Sequence, residues 1–158
     1  MAAFDWLLRL ILALVVWLGL AYGVHRISHL PGSWNRLNLW HRLHHAETYL
    51  QQSRIFHWHH ALLCFGSIEE TLDIWFTLTL PALLICLLFP AQGWALLLFH
   101  YFYEILLSDQ RLDHNPKICG PLTKIFAWGQ FHLSHHANQH RNFGLILTFW
   151  DYIFFTAI

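Results

Sequence analysis

The chain has 158 residues, 56% hydrophobic, 17% aromatic and 11% charged, with 9 Lys and Arg balancing 9 Asp and Glu to zero formal net charge. This excludes a disordered chain, which needs low hydrophobicity and high charge, and a nucleic-acid binder, which needs a basic excess; the 3 isolated cysteines exclude a disulfide scaffold, a thiolate zinc site and an iron–sulfur cluster. The length suits one domain, 1–158, and two features need an explanation: few charges for a soluble surface, and 14 histidines.

Residues 10–24 read LILALVVWLGLAYGV and predict a first membrane span near 5–24. A secretory leader would end in a small-residue cleavage site; YGVHRISH follows instead, so a retained helix is expected. His25 and His29 then form an HxxxH box, and His41, His44 and His45 an HxxHH box. Positions i, i+3 and i+4 neighbour one another on a helix, so the three imidazoles of the second box are expected to aim at one centre. The cluster His57, His59 and His60 stands apart, suited to interfacial packing or to a ligand role.

Residues 74–89, IWFTLTLPALLICLLF, predict a second span near 72–90, kinked at Pro81. Pro90 to Gly93 reads as a tight turn into a third span near 93–108. That span carries His100 and Glu104, four apart on one face. Ionisable groups within spans are costly and functional as a rule, so this pair is expected to support a metal ligand or line the entry to the site. Trp75, Phe76, Phe99, Tyr101 and Phe102 are candidates for an apolar lining. Asp109, Asp113 and His114 follow. A second HxxHH box, His132, His135 and His136, precedes His140. The final LILTFWDYIFFTAI contains Asp151, is short for a span, and reads as an interfacial or re-entrant helix.

The expected fold is therefore all-α: an integral membrane helical bundle of about three spans plus interfacial or re-entrant helices. Arg26, Arg36, Arg42, Arg54, Arg111, Lys117, Lys124 and Arg141 fall on one side of these spans and Arg9 on the other. The positive-inside rule makes that side cytoplasmic. All histidines but His100 lie outside the spans, on the same side.

The three boxes offer eight imidazoles, ligands for iron, zinc, copper or nickel. One ion cannot use eight, so the pattern implies a dinuclear site. No acidic residue has a histidine three positions later, which excludes the Glu-x-x-His di-iron class, and HExxH is absent. A histidine-rich membrane metal transporter or metal-binding protein without oxygenase activity is the alternative. Transporters place their ligands at mid-membrane, which disfavours it. A bis-histidine haem protein would leave the repeated HxxHH unexplained.

HRISH, HRLHH and HLSHH, then Asn142-Phe143-Gly144 and Trp150-Asp151-Tyr-Ile-Phe154, resemble the fatty acid hydroxylase/sterol desaturase superfamily over residues 25–156. The resemblance implies metal ligation by His25, His29, His41, His44, His45, His114, His132, His135 and His136. Asp109, Asp113, His57, His60, His100, Glu104, His140 and Asn142 become candidate ligands or supports of ligands. It implies two iron ions, with zinc also accepted by imidazole sites. It implies O2 as co-substrate and hydroxylation or desaturation of a sterol, fatty acyl, sphingoid or carotenoid lipid dissolved in the bilayer. No flavin or dinucleotide fingerprint occurs, so an external donor of ferredoxin or cytochrome b5 type, with its reductase, is expected to dock near Arg111, Lys117, Lys124 and Arg141. Two positions depart from the family pattern. The histidine expected upstream of His114 is replaced by Asp109 or Gln110, and the glycine usual before the final Thr156 is Phe155.

Overall fold

A computed structural model describes residues 2–48 and 65–158. The His57, His59 and His60 cluster and Arg54 lie outside the described residues. The elements are α1 (Ala2–Ser28), α2 (Arg36–Thr48), α3 (Ile68–Ile74), a π-helical turn (Trp75–Thr79), α4 (Leu80–Leu88), α5 (Pro90–Leu106), a 3-10 turn (Gly120–Lys124), α6 (Gln130–Ala137) and α7 (Phe149–Ile153). Among the described residues there is no strand, only an isolated bridge between Phe126 and Leu147.

Among the described residues, two helices are long and apolar enough to cross a membrane: α1, and the continuous run Ile68–Leu88 formed by α3, the π turn and α4. α1 runs to Ser28, four residues past its expected end, which carries His25 on its last turn. The second helix starts at Ile68 rather than near residue 72. Its start is fixed by a capping box: Glu70 N–H donates to Ser67 Oγ at 3.1 Å, and Ser67 N–H donates to Glu70 Oε2 at 2.9 Å. The third expected span forms as α5, but with 17 residues it falls short of the ~20 that a full crossing needs.

The irregularity expected at Pro81 is met by the π turn just before it. Leu80 N–H reaches Trp75 O, five residues back, and Pro81 has no N–H to place. The turn into α5 is made at Phe89 (φ −135°, ψ 74°), not across Pro90–Gly93; Pro90 is the first residue of α5, where its missing N–H costs nothing. Gly93 lies inside the helix because α4 and α5 approach closely there: a Cβ would stand 2.5 Å from Cys86 Cα.

The core joins Trp17, Leu18, Leu78, Ile85, Leu96, Tyr103 and Ile146. Trp17 Nε1 donates to Leu78 O at 2.9 Å, which ties α1 to the π turn. Leu8, Ile11 and Leu12 of α1, Leu84 and Leu87 of α4, and Leu98 and Phe102 of α5 face outward. So much exposed apolar surface suits a lipid solvent. Of the aromatic residues that could line a site or simply face lipid, Phe76, Phe99 and Phe102 are exposed, which agrees with lipid-facing packing. The expected C-terminal interfacial or re-entrant helix is the five-residue α7. Trp150 Nε1 on α7 donates to Val15 O of α1 at 3.1 Å.

Candidate metal centre

The end of α1, α2, α6 and the loop after α5 bring nine histidines together. They form two adjacent groups: His25, His29, His41, His45 and His135, and His44, His114, His132 and His136. Within each group the candidate ligand nitrogens all lie within 4.8 Å of one another. The groups meet where the His45 and His136 rings stack at 4.1 Å between centroids.

The HxxHH boxes do not aim all three imidazoles at one centre, as their spacing suggested. His41 and His45 join the first group and His44 the second; His132 and His136 join the second group and His135 the first. The helix advances about 100° per residue, so i+4 lies about 40° to one side of i and i+3 about 60° to the other. The i and i+4 rings therefore close on one centre, while i+3 turns to its neighbour. Each box feeds both groups.

The outer face of several rings fixes which nitrogen is bare. His25 Nδ1 lies 2.7 Å from Phe143 O, and His135 Nδ1 lies 2.6 Å from Arg141 O. A backbone carbonyl only accepts, so both Nδ1 atoms carry the proton and donate. His41 Nδ1 lies 2.9 Å from Asp73 Oδ2, and His114 Nδ1 lies 3.0 Å from Asp109 Oδ1. The neutral rings therefore turn unprotonated Nε2 atoms inward. The inward ring nitrogens of both groups crowd: His25 to His41, His29 to His135, His29 to His41 and His45 to His41 all stand at 3.0 Å between Nε2 atoms, and His114 to His136 and His136 to His132 at 3.1 Å. Where both nitrogens are bare, as in His25 and His41, the inward lone pairs repel at this distance unless a cation lies between them. Two imidazole nitrogens on one ion at about 2.0–2.1 Å and near right angles stand about 3 Å apart. The residues fit a metal ion in each group.

Burial and the neighbouring imidazoles both disfavour protonation. Burial, with His135 beside it, lowers His29 to about 3 and His45 to about 2. Burial lowers His135 to about 4, and holds His41, His132 and His136 well below the usual histidine range. Neutral imidazole is the form that binds metal.

Asp109 does not face the cluster as a ligand. Its backbone takes a left-handed turn (φ 53°) after α5, and its carboxylate accepts from His114. Asp113 accepts from Tyr103 OH at 2.5 Å; burial, with Glu104 nearby, pushes its carboxyl up to about 7. Asn142, fully buried, donates through Nδ2 to Phe131 O at 3.1 Å and accepts from Ile158 N–H, bracing the chain behind α6. His140 is exposed and belongs to neither group. His100 and Glu104 face each other as expected, 3.7 Å apart between Nδ1 and Oε1; His100 also pairs with Thr79 Oγ1 at 2.9 Å, stacks edgewise on Trp17 and belongs to neither of the two metal groups. Glu104 lines a chamber beside them, with Ile74, Leu78, Tyr103, His44 and His132.

Asp73 was missed by sequence reasoning. It lies 32 residues from His41, on a helix that reads as a plain span, and no local spacing links the two.

Two adjacent, largely buried histidine groups that could each hold a metal ion, beside helices apolar enough to cross a membrane, define the class of histidine-box membrane-type proteins. The family model for fatty acid hydroxylase matches residues 10–156, nearly the whole chain. The chain belongs to the fatty acid hydroxylase family. No curated protein and no solved structure matches it.

Proposed function

We propose that this chain is a membrane-bound, O2-dependent hydroxylase or desaturase acting on an unactivated C–H bond of a lipid dissolved in the bilayer. Its two histidine groups would each hold one iron ion, on the cytoplasmic face. The observation that supports this most is the convergence of nine imidazoles into two groups, with His25, His41, His135 and His114 turned by acceptors on their outer ring nitrogens. Bound metal supplies the activation of O2 and the removal of hydrogen. The chain contributes ligation, orientation and the exclusion of water.

The chamber beside the second group supports the reading of a lipid route. Ile74, Leu78 and Leu145 line it beside His44, His114 and His132, together with the acidic Asp73, Glu104, Asp109 and Asp113. Electrons would come from an acidic protein donor on the exposed Arg111, Lys117, Lys124 and Arg141. Neutralising these four is expected to raise the apparent KM for the donor and leave metal content unchanged; unchanged donor kinetics would reject the surface.

The direct test pairs metal analysis of protein from iron-supplemented cells with lipid profiles of cells with and without the chain. Two irons per chain and an oxygen-dependent lipid product are expected. His135→Ala and His136→Ala should each weaken a different ion. A wild-type chain that binds no metal would reject the proposal.

A further inference from the structure

Asp151, on α7, is fully buried and lies 15 or more residues along the chain from every histidine of the two groups. Its carboxylate accepts three short hydrogen bonds. Oδ1 takes Phe143 N–H and Thr156 Oγ1, each at 2.7 Å, and Oδ2 takes Gly144 N–H at 2.7 Å. Gly144 N–H and Phe143 C=O belong to the same peptide group. That carbonyl is the acceptor for His25 Nδ1–H at 2.7 Å. A carboxylate pulling on the N–H of an amide enriches the charge on its oxygen, because hydrogen bonds in a chain polarise one another. Carboxylates that bond a ligating histidine directly fix its tautomer and raise its basicity. Here one peptide unit is interposed.

The local backbone is shaped for this relay. Asn142 adopts φ 56°, which turns the Phe143–Gly144 peptide toward Asp151, and asparagine tolerates that region well. A Cβ at Gly144 would stand 2.6 Å from Asp151 Oδ2, so only glycine admits the carboxylate. Thr156, which donates to Oδ1, also meets Tyr22 OH at 2.9 Å, one turn of α1 before His25. The His114 and His44 side of the centre has no such link to Asp151 among the described residues.

We propose that Asp151 is a positioning residue for one of the two metal sites, acting on His25 through the Phe143–Gly144 peptide. The inference rests on the two-metal reading above. The test loads the full chain in detergent with Co(II) and measures metal retained against a graded chelator. Asp151→Asn keeps the shape but turns one oxygen into an N–H2 group facing backbone donors. It is expected to release one ion at ~10- to 100-fold lower chelator, the ion that His25→Ala also weakens, while the other ion is unchanged. In a His25→Ala background the same substitution should shift release by less than about two-fold, since its route is already cut. Thr156→Val, a milder lesion that removes the hydroxyl shared by Asp151 Oδ1 and Tyr22 OH, should weaken the same ion to a smaller degree, with Tyr22→Phe as the control for the second contact, and decides the matter if Asp151→Asn does not fold. Unchanged retention, equal weakening of both ions, or full multiplication with His25→Ala would overturn the proposal. A wild-type chain that retains no metal would instead overturn the two-metal reading.

Discussion

Asp73 offers the sharpest test of how the centre is held. Its Oδ2 accepts from His41 Nδ1 at 2.9 Å, and both residues are almost wholly buried, at 5% and 3% exposure. Asp73→Ala would leave a buried N–H without its acceptor and free the His41 ring to turn. A buried donor left without its acceptor costs about 1–3 kcal/mol, and a retained neutral hydrogen bond is worth about 0.5–1.5 kcal/mol. At about 1.36 kcal/mol per ten-fold, the alanine variant should bind the ion of the His41 group on the order of 10- to 100-fold more weakly. Asp73→Asn keeps a neutral acceptor at the same reach, so its loss should be nearer ten-fold. The assay is metal content by mass spectrometry after dialysis against graded chelator, with His44→Ala as the reference for the other group. Wild-type retention in Asp73→Ala would refute the reasoning. So would equal losses from both groups, or a larger effect of asparagine than of alanine.

Three further outcomes are expected. His135 and His45 hold folded pKa values of about 4 and about 2, against 6.5 as the ordinary value, so the unfolded chain takes up protons that the folded metal-free chain refuses. Metal-free protein should therefore keep full stability above about pH 7 and lose about 1.4 kcal/mol per pH unit per such histidine between about pH 6 and 4, followed as Tm in detergent; stability flat across that window would contradict it. Phe155 holds φ 55° while 85% exposed, so Phe155→Gly should relieve about 1–2 kcal/mol of left-handed strain against about 0.5–1 kcal/mol of added chain entropy, a net gain of up to about 1 kcal/mol in a chemical unfolding curve. A clear loss of stability would show that the ring's contacts outweigh the strain. Glu104 borders the chamber without belonging to either histidine group, so Glu104→Gln should change product formation while leaving both ions in place; activity and metal content both unchanged would remove it from the working site.

Spacing along one helix is local information, and it was legible. The apolar runs announced α1, α4 and α5, and the boxes announced eight of the nine clustered histidines, because the repeat of a helix fixes which side chains share a face, while His114 came from the family resemblance. Ends were less legible. α1 outran its apolar run to Ser28, since tertiary packing holds His25 and Ser28 buried, and the second helix began at a capping box outside the hydrophobic stretch. The same helical repeat that signalled each HxxHH box also splits it, but which ring serves which centre depends on where α2 and α6 lie relative to each other. The sequence alone determined the donor set: nine imidazoles and a shortage of charge. Only the tertiary structure decided what stands behind the rings. The carboxylates of Asp73 and Asp109 and the carbonyls of Phe143 and Arg141 fix the tautomers and turn the lone pairs inward. Asp109 sits close to His114 in the chain, but a carbonyl has no sequence signature, and Asp73 meets His41 only because α2 packs against α3, an arrangement that no local periodicity encodes.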